Sequence, residues 1–187
     1  MAHGPGFDPA PIRAPDHNPV HAMSPMQQNP SNRDAERERL CAALERKILA
    51  DIPLARTMLL RARAYDGVSL TFSAALAPNI NDKGCAFGGS LVSLMTLTGW
   101  GLIKLALDAR GVDCDIYVKD SQIHYIAPVW RDFDAIAGLG EGQSFAAMFD
   151  TIDARGKAGI DVRCHVPLAD DSQAATLAAR FVAIARR

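Results

Sequence analysis

The chain has 187 residues, with 20 Lys and Arg against 21 Asp and Glu, a formal charge of −1 and 49% hydrophobic residues. That balance excludes a disordered or collagen-like polymer, and the length suits one ordinary domain with little room for a second catalytic one. Near-neutrality and an aromatic content of only 6% argue against a nucleic-acid partner, which would call for a basic footprint and often aromatic platforms.

The first 30 residues hold seven of the 11 prolines and three of the five histidines, and they show no apolar periodicity. This pattern predicts a disordered arm over 1–30 and a single domain over 31–187. His3, His17 and His21 are metal-capable side chains, but no fold would set their geometry, so a solvated tail is expected and no metal site. The start, Met1 to Pro9, lacks a basic segment followed by an apolar one. Cys41, Cys85, Cys114 and Cys164 form no CxxC pair, which suggests reduced thiols rather than a zinc ribbon or disulfide scaffold. Together these features make a cytoplasmic location the expectation.

Ser31 and Asp34 resemble a capping box, and Leu40, Cys41, Leu44, Ile48 and Ile52 form a helical stripe that stops at Pro53. From Met58 the period becomes two, Asp66-Gly67 turns the chain, and Val68 to Leu76 completes an expected β-hairpin. No residue from Gly84 to Ile103 is charged. A membrane span has that composition, yet five glycines, four hydroxyl residues and flanking strand patterns fit a helix buried in protein better, ending at Gly111. Four strands are then expected, at Asp115–Pro128, Asp132–Gly138, Phe145–Asp153 and Ile160–Val166, joined as an antiparallel meander. Residues 171–187 are expected to form a terminal helix packed through Ala175, Leu177, Ala178, Phe181, Val182 and Ile184. A sheet curled round one helix leaves one side of that helix uncovered, so a homodimer or higher even oligomer is expected.

Asn81-Asp82-Lys83-Gly84-Cys85-Ala86-Phe87-Gly88-Gly89-Ser90-Leu91, with Ser93-Leu94 and Gly99-Trp100-Gly101, resembles the opening of the central helix in hotdog-fold acyl-thioester proteins. Within them it is most similar to the thioesterase family typified by the YiiD C-terminal domain. Ile123 to Pro128, followed by Asp132 to Ala135, is similar to the strand, proline and turn that follow that helix. The resemblance covers about Pro53 to Val166. It implies an α+β hotdog fold, an antiparallel β-sheet wrapped around a long central helix, here with extra N- and C-terminal helices. It also implies hydrolysis of an acyl thioester, carried by coenzyme A or by an acyl carrier protein, with no cofactor beyond that substrate.

The residues support this chemistry physically. Gly88 and Gly89 at a helix start expose backbone N–H groups without intrahelical acceptors, where the helix dipole adds positive charge. A thioester carbonyl becoming an oxyanion would find donors there, and absent side chains permit close approach; equally, paired glycines could simply let a helix enter a crowded sheet. Asn81 offers an amide to hold a carbonyl or a water, or else a turn residue. Many hotdog thioesterases carry a His before the two glycines and a carboxylate seven residues past the second. Phe87 and Thr96 occupy those positions here, so base function falls to Asp82 or a water network, with Thr96 able to orient water but not to act as a base. Phe87, Ser90 and Lys83 are expected to contact substrate. Cys85 could form an acyl intermediate or be a small buried residue; His124 and His165 could be bases or structural strand residues; Trp100 is expected to pack the core. The alternative function is a non-catalytic acyl-thioester binding or sensing module of the same fold. A dehydratase is a third reading, weakened by the lack of a His and carboxylate pair near the helix.

Overall fold

A computed structural model describes Met1 and residues 30–186 of the chain. The Pro-rich segment with His3, His17 and His21 lies outside the described residues. Helix α1, Pro30–Asp51, buries Cys41, Leu44 and Ile48 at helical spacing. It already includes Ser31, so that residue sits inside the first turn rather than at the cap, and Pro30 begins the helix where a missing N–H costs nothing. A short helix not anticipated from the sequence, α2 at Pro53–Thr57, starts at the proline that ends α1's pattern. Its end is closed by Leu59 N donating to Arg56 O (3.0 Å) and Leu60 N donating to Ala55 O (3.0 Å), which places Leu59 at φ +56°.

The expected hairpin follows as β1, Arg61–Tyr65, and β2, Ser69–Ala74, paired antiparallel. Its turn is organised by the Asp66 carboxylate, which accepts from Val68 N (2.8 Å), Ser69 N (2.6 Å) and Ser69 Oγ (2.8 Å).

Central helix α3 spans Gly88–Arg110 and ends on Gly111 at φ +74°. By length and composition it could cross a membrane, but 61% of its apolar window is buried inside the protein, as a core helix requires. Leu94, Met95, Leu102 and Ile103 are fully enclosed, and Thr98 keeps its buried hydroxyl bonded to Leu94 O at 2.7 Å. A Cβ at Gly101 would stand 2.9 Å from Leu70 and 3.1 Å from Phe72, so this glycine lets the sheet close on the helix.

Strands β3 (Cys114–Tyr125), β4 (Phe133–Leu139), β5 (Lys157–Pro167) and β6 (Gln173–Ala185) join the hairpin in one six-stranded sheet of order β1-β2-β4-β5-β6-β3, in which every neighbouring pair is antiparallel. Three expectations are corrected here. The C-terminal segment is the strand β6, not a helix. From Ala175 on, its buried residues are every second one, Ala175, Leu177, Ala179, Phe181 and Ala183, while Ala178, Val182 and Ile184 lie on the other face. Alanine fits either period and favours helices intrinsically, so local preference pointed the wrong way and pairing with β3 and β5 decided the matter.

Residues Phe145–Arg155 form helix α4, not a strand. Phe145, Met148, Phe149 and Ile152 share one face, Ser144 Oγ accepts Ala147 N at 3.2 Å as the N-cap, and Gly156 ends the helix at φ +70°. The meander is also broken, because β3 crosses to the far edge and pairs with β6.

The two edges of the sheet differ. Along β1, helix α1 closes the edge, and Glu45 Oε2 accepts the Ala62 N–H at 2.7 Å. Along β3, the outer side has no strand partner among the described residues, and Tyr117 and Val118 are exposed.

Candidate active site at the start of the central helix

The chain reaches α3 through a loop that is tied at both ends. Asn79 is buried, and its Nδ2 donates to Met58 O (3.0 Å) and Ala75 O (2.7 Å), while its carbonyl accepts Phe87 N at 2.7 Å. Asn81 N donates to Cys85 O (2.8 Å), Asn81 Oδ1 accepts Lys83 N (2.8 Å), and Asn81 Nδ2 points to Cys85 Sγ (3.2 Å). Ala86 N donates to Val129 O at 2.8 Å, pinning the segment to the chain that leaves β3. These bonds deliver Phe87 to the N-cap in an extended conformation with no side-chain cap.

The consequence lies in the backbone. Ser90 N (2.9 Å) and Leu91 N (3.1 Å) both donate to Phe87 O, whereas the Gly88 and Gly89 N–H groups have no acceptor among the described residues. Two adjacent donors therefore stand free at the positive end of a 23-residue helix. Beside them is a cleft of about 310 Å³ bounded by Gly88, Leu91, Tyr125, Ile126 and Pro128. Tyr125 and Ile126 expose apolar surface in it, and Phe87, which precedes Gly88 at the N-cap, is 54% accessible. Side chains at the two glycines would crowd the flanking rings to different degrees. A Cβ on Gly89 would lie 2.2 Å from the Phe87 ring, and one on Gly88 would lie 3.2 Å from the Tyr125 ring.

Each sequence-derived candidate has a definite place. Gly88, Gly89, Phe87 and the half-buried Ser90 gather at the helix start. Asn81 is adjacent in the chain, but its amide is spent on the loop's own turn. Asp82 is 78% exposed, with both carboxylate oxygens on Lys83 Nζ (3.0 and 2.9 Å), so the two residues face solvent as a pair. Thr96 lies two turns along α3 on the face shared with Gly89, Ser93 and Trp100, which the sheet leaves half-covered. Its hydroxyl makes no hydrogen bond among the described residues; Thr98, not Thr96, bonds back to the preceding turn.

The other thiols and imidazoles stand elsewhere. Cys85 is buried beneath the loop. Cys164 points inward to Met95 O at 3.3 Å, and burial pushes its thiol pKa up to about 12. His165 and His124 lie on the outer face of the sheet, each opposite Thr176, and so do not reach this groove. Burial draws the His165 imidazole pKa below its ordinary value.

Two residues were given no role by the sequence. Tyr125 closes one wall of the cleft and donates its hydroxyl to Gly88 O at 3.0 Å. Its position at the end of a strand, just before Ile126-Ala127-Pro128, was the available signal. Asn79 is the second, and nothing distinguishes it in sequence from any other turn asparagine.

A curled antiparallel sheet around one long helix, with unpaired amides and an apolar cleft at that helix's start, is the arrangement of the hotdog-fold thioester hydrolases. The chain belongs to the family described as Putative thioesterase (yiiD_Cterm), whose model matches residues 41–185. Among solved structures it is similar to a putative thioesterase from Shewanella oneidensis, at 28% identity over 79% of this chain and 99% of that one, with a TM-score of 0.70. It is also similar to a protein of unknown function from Chlorobaculum tepidum, at 26% identity over 80% and 97% of the two chains, with a TM-score of 0.75. A probable thioesterase from Pseudomonas aeruginosa shares the fold, with 21% identity over 80% and 95% of the chains and a TM-score of 0.66.

Proposed function

We propose that the protein hydrolyses acyl-coenzyme A thioesters at the start of α3. The observation that carries this reading is the pair of unpartnered amides, Gly88 and Gly89, at the helix start, with Gly88 lining an apolar cleft. A thioester carbonyl seated there gains negative charge as water attacks, and preorganised donors stabilise that charge more than the ground state. The acyl group lies against Leu91, Ile126, Phe87 and the Tyr125 ring, with Ser90 at the rim. Asn81 acts as a positioning residue by holding the loop. Asp82 supplies the base by exchanging its Lys83 contact for a water, with Ser93 and Thr96 hydroxyls holding solvent along the helix. Lys83 then meets the carrier's phosphates.

The working unit is a homodimer. A 12-residue edge strand with exposed Tyr117 and Val118, opposite an edge sealed by α1, is suited to pairing with a second copy. Light scattering on a size-exclusion column checks this directly: a monomeric mass at working concentration contradicts it.

Release of free thiol from short, medium, long and aromatic acyl-CoA thioesters tests the activity, with Asn81→Ala and Asp82→Ala as variants. Turnover lost in both supports the roles given; turnover kept in Asp82→Ala removes the base assignment alone. A second reading, a binding or sensing module without turnover, draws on the exposed Asp82–Lys83 pair and on Thr96 standing where a carboxylate would serve. Acyl-CoA that raises the melting temperature but releases no thiol selects it. Hydrolysis of acyl carrier protein thioesters in preference to acyl-CoA would change the carrier.

A further inference from the structure

The outer face of the sheet, opposite the helix, carries a second constellation. Register places His165 of β5 and His124 of β3 on either side of Thr176 in β6. The next row places Arg163 between Gly138 and Ala178, with Gln122 beyond. The middle strand thus contributes short side chains and its neighbours long ones, and the result is a trough whose walls stand about 10 Å apart, two strand spacings. It encloses about 320 Å³, at the lower end of small-ligand cavities.

The lining is rich in donors and contains no carboxylate. Arg163 makes no hydrogen bond or ion pair among the described residues, and neither imidazole has an acidic partner there. Other arginines of β6 and just past it are committed: Arg180 is held by both oxygens of Asp161 (2.9 Å each), and Arg186 by Asp115. An exposed guanidinium between a glycine and an alanine, facing two imidazoles and a glutamine, has the geometry and charge for an acceptor-rich anion.

We propose that this trough is a binding site for a phosphate monoester, separate from the thioester site. Arg163 takes the phosphoryl oxygens in a forked pair of charge-assisted bonds, Gln122 and Thr176 add neutral donors, and His124 and His165 close on it from the two walls. The other charged groups near the trough are Asp120 of β3, Asp161 and Arg180 as a bonded pair on β5 and β6, and Glu141 of the loop after β4 at the Arg163 end, Asp134 of β4, and Asp170 and Asp171 in the turn between β5 and β6, past Gln173 at the histidine end. All of these acids lie outside the lining itself, where Arg163 and the two imidazoles are the ionisable side chains beside the Cys164 thiol. A bound dianion favours the charged form of the His165 imidazole, against the burial that draws its pKa down.

The test is a titration of the full chain with inorganic phosphate and with AMP, against chloride at matched ionic strength, followed through histidine side-chain resonances by NMR. The expected result is a saturable shift of the His124 and His165 signals, and about tenfold weaker binding in Arg163→Gln. Tighter binding of AMP than of phosphate identifies the ester; equal binding identifies free phosphate at the same site. Equal shifts with chloride, or an unchanged titration in Arg163→Gln, overturn the proposal. His124→Gln, which keeps an uncharged donor at an exposed position, provides a second variant if Arg163→Gln does not fold.

Discussion

Gly89→Ala separates the helix's needs from the ligand's. The added methyl would sit 2.2 Å from Phe87 Cε1, 2.9 Å from Cδ1 and 3.0 Å from Cζ, so the ring must swing away. That movement is cheap for the fold, because Phe87 is an exposed side chain and its backbone stays anchored by Asn79 O. Alanine also favours the helix over glycine by up to about 1 kcal/mol in an interior position, and by less this close to the end. The melting temperature should therefore hold or rise, by no more than about 3 °C for a chain of this size. Activity should behave differently. The Gly89 N–H is still present, but a methyl and a displaced ring now occupy the approach to it. Loss of one oxyanion donor costs about 100-fold or more in turnover, or roughly 2.7 kcal/mol of barrier. The assay is thiol release from the best acyl-CoA substrate, run beside a thermal melt. A variant that keeps its melting temperature and turns over within about twofold of the parent would refute the assignment, since a loss of about 100-fold and that result differ by roughly 2 kcal/mol or more.

Leu59→Gly should raise stability by about 0.5 to 1 kcal/mol in a denaturant melt, because an exposed leucine at φ +56° bears a left-handed strain that glycine does not, less glycine's larger unfolded-state entropy. For Asp66, burial raises the carboxyl pKa, but hydrogen bonds from the Ser69 and Val68 amides and the Ser69 hydroxyl outweigh it, and the folded value is depressed. Its stabilisation is therefore present above the unfolded value near about 3.9 and fades as pH falls through the lower folded value. The stability gap between the parent and Asp66→Ala should accordingly shrink in acid; a gap constant from neutral to strongly acidic pH would exclude the carboxylate as its cause. Cys164, with its thiol pushed up to about 12 and its side chain enclosed, should resist a disulfide reagent until the protein unfolds, read by mass spectrometry of labelled peptides.

The helix start was legible because its signal is local and unusual: two glycines before a long uncharged run fit little besides a helix entering a core. The hairpin was legible for the same reason, since Asp66-Gly67 sits between two alternating segments. What misled was composition that suits two periods. In Ala174-Ala175-Thr176-Leu177-Ala178-Ala179 the alternation is present, but alanine on both faces hides it, and only the partner strands on either side resolve it. At Phe145 to Asp153 the error was different: Ser144 as a cap, an i, i+3, i+4, i+7 apolar set and a closing glycine were all in the sequence, outweighed by the expectation of another strand. The site's residue types could be read, but their hydrogen bonds could not. Asn81 faces its own loop and Asp82 faces Lys83, and both facts depend on how the chain closes between Asn79 and Val129.

The unequal edges of the sheet bear on the protein's solubility as well as its assembly. A chain with one edge sealed by α1 and Glu45 can be extended in one direction only. When two such chains meet through their open β3 edges, each consumes the other's free backbone donors and acceptors, and no third strand can be added. Under the proposed homodimer growth would stop at a pair, and the same exposed ladder that could seed a fibre would set a finite count.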